Sequence, residues 1–266
     1  MKSIFSILCF LIVLQSTAQD AVFTQVKSIE GDYIDFTIDN LGNYYLLSKN
    51  NQLKKLNGNG DSMGVFNDVR RYGKLYSIDA SNPLKVLLYY KNFATVVVLD
   101  RFMNMINTID LRKQNIFQVK AIAQSYDNNI WVYDEQSSKL KKIADDGSIL
   151  SETVEFRMFL DDVPSPTHIF DQDGFVYLYD PEKGIYVFDI YGSFKNKISY
   201  VGLTDLGIFG KTIVGISDQQ LIAYTTGTLT ERKLPLPAMF AGRQKVLIRP
   251  GHFYILQNGA VQHFTF

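Results

Sequence analysis

The stretch IFDQDGFVYLYDPEKGIYVFDIYGSF, from Ile169 to Phe194, decides the fold. Val176–Tyr179 and Ile185–Phe188 are β-branched and aromatic runs. Asp171-Gln172-Asp173-Gly174 precedes the first run, and Asp180-Pro181-Glu182-Lys183-Gly184 separates the two. Asp189-Ile190-Tyr191-Gly192 follows the second. Short apolar runs cut by Gly, Pro and Asp clusters form a β-meander. An amphipathic helix would need apolar residues three and four apart, and the stretch lacks that spacing.

The same pattern recurs along the chain. Six segments align on their second strand: NYYLLSK from Asn43, KVLLYYK from Lys85, NIWVYDE from Asn129, FVYLYDP from Phe175, TIVGISD from Thr212 and HFYILQN from His252. They are spaced by 42, 44, 46, 37 and 40 residues. A period of about 40–45 residues with four short strands per unit is a propeller blade. Each unit has a first strand, a tight turn rich in Gly, Asn and Asp, an apolar second strand, a third strand, and a more polar fourth. The sixth unit stops at Phe266 after its third strand, while Val22–Ile29 precedes the first unit and belongs to no earlier one. Pairing the two closes the ring and removes exposed edges. The expected fold is therefore all-β: a six-bladed β-propeller whose N-terminal strand completes the last blade.

The turns carry a family resemblance. Asp39-Asn40-Leu41-Gly42-Asn43 with Tyr44 and Tyr45, Asp171-Gln172-Asp173-Gly174 with Val176–Asp180, and Asn129–Asp134 followed by Lys141–Gly147 resemble the repeats of secreted NHL-type propellers. The resemblance implies six blades and says little of activity, because one fold hosts many functions.

Residues 1–18 have the form of a signal peptide. Lys2 precedes an apolar run from Ile4 to Leu14, too short to span a bilayer comfortably, and Ser16-Thr17-Ala18 offers small residues for cleavage. Cys9 is the only cysteine and falls in the apolar run, so residues 19–266, expected as a single propeller domain, contain neither disulfide nor thiolate-held metal. An exported, cysteine-free β protein with no further membrane span fits a bacterial periplasm or cell surface. The 27 basic and 27 acidic residues balance, which disfavours nucleic acid as a partner.

No P-loop, nucleophile elbow, HExxH or EF-hand motif occurs. His168, His252 and His263 fall at different radii of the expected ring, which argues against a zinc or catalytic histidine site. Asp39, Asp79, Asp127, Asp171 and Asp173 fall mostly at the ends of first strands, where turn hydrogen bonding accounts for them. No cofactor, metal or catalytic residue is assigned.

The loops crossing from each fourth strand to the next first strand are more informative. They carry Arg70, Arg71, Tyr72, Phe117, Phe156, Arg157, Phe159, Met239, Phe240 and Arg243, with Met158 and Leu160 beside them. Loops favour small and polar residues, whereas Arg, Met, Phe and Tyr mark interface cores. The expectation is a non-catalytic protein-binding scaffold of the cell envelope. It would dock through one face onto another envelope protein, such as an outer-membrane complex. Inward packing of the same aromatics over the core is the structural alternative. An enzyme or carbohydrate-binding propeller with a metal or small ligand at the channel mouth is the functional one.

Overall fold

All five residues of the second strand Val86–Tyr90 are buried, although successive side chains of a strand point to opposite faces. Val86, Leu88 and Tyr90 pack with Tyr45, Leu47 and Leu53 of the preceding unit. Leu87 and Tyr89 pack with Ile122, Ile130 and Val132 of the following unit. A strand apolar on both faces needs cover on both, and here each cover is another sheet.

Repetition of this arrangement makes the ring. In the computed structural model, which describes residues 23–266, six four-stranded antiparallel sheets surround a central channel. Six hydrophobic clusters join them, each shared by two adjacent sheets. Blade one spans Tyr33–Phe66, blade two Ser77–Asp110, blade three Val119–Glu152, blade four His168–Ile198 and blade five Thr204–Pro235. Blade six contributes Lys245–Arg249, His252–Gln257 and Ala260–Thr265. Its fourth, outermost strand is Thr24–Ile29, with Thr24 opposite Thr265 and Ile29 opposite Val261. The expected closure by the N-terminal strand is thus the one observed. The signal-peptide assignment of residues 1–18, including Cys9, lies outside the described residues. Among those described, no helix is long and apolar enough to cross a membrane.

The acids at the inner-strand ends hold turns and link blades. Asp39 accepts the Leu41 and Asn43 N–H groups and the Tyr45 hydroxyl. Asp79 accepts the Gln124 N–H of the next blade at 2.6 Å. Asp171 Oδ2 accepts from three groups of the preceding blade: Trp131 Nε1 at 2.8 Å, Tyr126 N at 3.1 Å and Ser125 Oγ at 3.2 Å.

The third strand Lys139–Ile143 departs from an apolar interior. Lys141 is buried and donates to the buried Asp134 carboxylate at 2.8 Å. Lys142 donates to Asp127 at 2.9 Å and lies over the Trp131 ring. In blade one, buried Lys55 lies over Tyr45 and donates to the Arg101 carbonyl at 2.9 Å. Buried ammonium groups persist only with such partners.

Candidate functional site

Each crossing between blades is fastened to the blade it leaves. Its first turn lies against the loop between the second and third strands of the blade it leaves. The Leu111 N–H donates to Ala94 O at 2.9 Å, Phe156 N–H to Ser138 O at 2.9 Å, Gly202 N–H to Pro181 O at 2.7 Å, Leu236 N–H to Gln219 O at 2.9 Å and Tyr33 N–H to Gly259 O at 3.0 Å. At the first crossing Asn51 does the same with its side chain, through Gly73 O and Leu75 N–H. Five of the six crossings also sink an apolar side chain into the cluster between the blades they join: Tyr72, Leu111 with Ile116, Phe156, Leu203 and Phe240. Four crossings shape this wedge with a single helical turn, at Val69–Tyr72, Leu111–Gln114, Phe156–Met158 and Ala238–Phe240.

This corrects three of the expected contact residues. Tyr72, Phe156 and Phe240 are buried and offer no surface to a partner. Tyr72 packs on Tyr90, Phe156 on Phe188 and Phe240 on Phe253 and Phe264. Arg243 is half-buried and holds Gln219 Oε1 at 2.8 Å. Arg70, Arg71, Phe117, Arg157, Phe159 and Met239 are exposed. They sit on four separate crossings and do not converge on one site.

The crossing between blades three and four adjoins a concave surface. There a rim groove of about 310 Å³ is lined by Val154, Phe159, Tyr191 and Phe194 together with the polar Glu152, Thr153 and Ser193. Val154 is 63% exposed, Tyr191 83% and Phe159 40%; the adjoining Met158 is 78% exposed. Arg157 stands beside them, paired with Glu155 at 2.7 Å. The floor is fixed. Thr153 Oγ1 accepts the Leu140 N–H and the Thr153 N–H returns to Leu140 O. Gly192 (φ +87°) lets the turn of blade four approach: a Cβ there would meet Thr153 Cγ2 at 2.7 Å. Tyr191 sits in the turn that the sequence marks by Asp189 and Gly192, and Phe194 opens the strand after it. Neither is among the expected contact residues; an aromatic at a turn tip is the signal that would have found Tyr191.

A second collection of polar groups stands at the channel mouth, where inner strands begin. Lys245 donates to Asp35 at 2.5 Å across the seam of blades six and one. His168 begins the inner strand of blade four, and its Nδ1 faces Thr167 Oγ1 at 2.9 Å. Burial and the nearby Lys245 ammonium hold its imidazole below the ordinary value. Burial raises the Asp205 carboxyl above its ordinary value, opposed by the Val246 N–H and Lys245. Among the described residues, no three His, Cys, Asp or Glu side chains are grouped to hold a metal.

The histidines need a second correction. His252 and His263 are not separated: Nδ1 of the first lies 2.9 Å from Nε2 of the second, and His263 stacks on Tyr254 at 4.3 Å. They sit on adjacent strands of blade six, whereas His168 stands apart in blade four.

The ring and its closure define a six-bladed β-propeller. No protein-family model matches the chain, and neither does any curated protein. Solved structures with similar folds include the WD40 domain of Pan2 from Neurospora crassa, at TM-score 0.65 and 12% identity over 91% of this chain and 95% of that one. A virginiamycin B lyase from Staphylococcus aureus gives TM-score 0.61 and 13% identity over 90% and 99%. BamB from Moraxella catarrhalis gives 0.50 and 13% over 92% and 98%. These likenesses are of fold alone; they include a lyase and a WD40 domain, so they do not decide between catalysis and docking.

Proposed function

We propose that the chain is an exported, non-catalytic protein-binding propeller of a bacterial cell envelope, and that the groove between blades three and four holds its partner. One observation carries this: Val154, Met158, Phe159 and Tyr191 are exposed together around a concave surface whose floor is fixed by hydrogen bonds. Exposed aromatic and methionine side chains beside an arginine are what interface cores use. The partner is another envelope protein, such as a component of an outer-membrane complex.

The triple substitution Met158→Ala, Phe159→Ala, Tyr191→Ala tests this. It is expected to abolish recovery of the partner from the native envelope while the thermal midpoint is kept. Undiminished recovery would refute docking through the groove.

A small ligand at the channel mouth is the second possibility, favoured by the gathering of Asp35, His168, Asp205 and Lys245. Lys245→Ala separates the two. Loss of ligand binding with partner recovery intact would favour the mouth.

A further inference from the structure

A separate cleft, of about 440 Å³, opens at the closure seam, where the strand Thr24–Ile29 and blade six meet blade one. Lys27, Tyr44, Asn59, Tyr254 and His263 line it, and no carboxylate does. Lys27 and His263 are direct cross-strand partners in the pair that closes the ring. The Lys27 ammonium donates to Gly58 O at 2.6 Å, which occupies one of its three hydrogens. Neither the Tyr44 nor the Tyr254 hydroxyl has a hydrogen-bond partner among the described residues. Neither is sealed from solvent: among the described residues the one buried side-chain atom without a partner is Gln124 Oε1, elsewhere in the ring. Burial and the neighbouring phenol push Tyr44 up to about 12, and burial raises Tyr254, so both remain O–H donors at physiological pH. The cleft therefore offers an ammonium, an amide, an imidazole and two phenols, and nothing negative.

His252 backs this lining. Its ring and that of His263 point nitrogen to nitrogen, with 2.9 Å between the atoms and 5.1 Å between the centroids. That centroid distance is nearly what the N···N separation plus both ring radii allows, so the lone-pair directions face each other. Lone pairs sharing a metal would converge to one side of the line instead. The line holds one proton; the next proton adds to the outward nitrogen of the donor ring, which makes that ring an imidazolium and leaves the line intact. The charged and titratable groups facing the pair are Lys27 from the closing strand, Arg249 from the inner strand through Tyr254, and Tyr44 from blade one. None of these is acidic. Burial, His252 and Lys27 together hold His263 below its ordinary value.

We propose that the seam cleft is an oxyanion site, taking a sulfate, phosphate or carboxylate group. The ligand supplies the missing negative charge, and it binds more tightly as the histidine pair takes up a further proton. Charge-assisted hydrogen bonds from Lys27 and a protonated His263 supply the attraction, and the two phenols orient it.

Calorimetric titration tests this with sulfate, whose own charge is constant over the range, and with glucuronate as a carboxylate of sugar origin. Titrations are run at about pH 5.5 and about pH 8, either side of the ordinary histidine range. Sulfate is expected to bind one per chain, about tenfold or more tightly at the lower pH. Lys27→Met is expected to weaken binding about tenfold at both values, and His263→Gln to remove the pH dependence. His252→Gln keeps His263 but removes a neighbour that lowers it; it is expected to bind at least as tightly at about pH 5.5 and to keep the difference between the two values. Each variant is first shown by circular dichroism to keep its β signature. Glucuronate binding without sulfate binding would overturn a general oxyanion site. Saturable binding that survives both Lys27→Met and His263→Gln would overturn the cleft assignment, and no saturable binding at about pH 5.5 would overturn the proposal outright.

Discussion

Phe156 lies flat against Phe188, with ring centroids 4.8 Å apart and planes 10° from parallel. The contact joins the crossing that leaves blade three to the third strand of blade four. Three residues on, Phe159 stands half in solvent at the groove. The two phenylalanines should separate cleanly in mutation. Phe156→Ala removes a fully buried ring from between two sheets and is expected to cost about 3–5 kcal/mol. Phe159→Ala should cost less than about 1 kcal/mol. Urea midpoints measure both, and equal losses would contradict the placement of Phe156 as wedge and Phe159 as surface.

Asp171 offers a second check on the frame. Its carboxylate takes hydrogen bonds from Trp131, Tyr126 and Ser125 of the neighbouring blade. Asp171→Ala leaves these donors without their acceptor and is expected to destabilise by about 1–3 kcal/mol. Trp131 is the only tryptophan, so its fluorescence reports the site directly. The emission spectrum of the folded variant should shift. An unchanged spectrum and midpoint would show that Asp171 does not link the blades.

The pH dependence of stability follows from two histidines. Burial, with Lys245 nearby, holds His168 below its ordinary value of 6.5; burial, His252 and Lys27 do the same for His263. The unfolded chain therefore takes up protons at a higher pH than the native one. Stability from these groups is complete well above pH 6.5, falls as pH drops through that value, and levels off below the native values. Denaturant midpoints between about pH 8 and about pH 5 measure this. A His168→Gln, His263→Gln double variant should flatten the decline; a midpoint that rises on acidification would contradict the lowered values.

Gly192 predicts a local effect at the groove. Its φ of +87° and the 2.7 Å that a Cβ would leave to Thr153 Cγ2 make Gly192→Ala strained on both counts. The variant should lose about 1–3 kcal/mol and widen the groove enough to weaken partner binding. Wild-type stability and binding would show that the close approach is dispensable.

The architecture was legible because it is written in repeated local patterns. The turns set strand ends within a residue or two, and the unpaired Val22–Ile29 pointed to the closing strand. Side-chain direction in the crossings was not legible. Phe156 and Phe159 sit in one loop with similar neighbours; a single helical turn at Phe156–Met158 sends one inward and leaves the other out. The burial of Lys141 and Lys142 was not legible either, because their partners Asp134 and Asp127 lie on another strand and in a turn. The His252–His263 contact was hidden for the same reason: eleven residues apart, they become neighbours only through the register of Tyr254 opposite His263. Half of the groove also comes from the Tyr191 turn, whose Asp and Gly carry the hairpin signal and mask an exposed aromatic.

Docking through the rim groove is tested most directly by photo-crosslinking in the native cell. A photoreactive amino acid is placed at Met158 or Tyr191, and as a control at Leu41, an exposed residue in a turn of blade one. Positions 158 and 191 should crosslink to the same envelope protein, with position 41 silent. Crosslinks from position 41 alone, or none from 158 and 191 in a folded and exported protein, would contradict it.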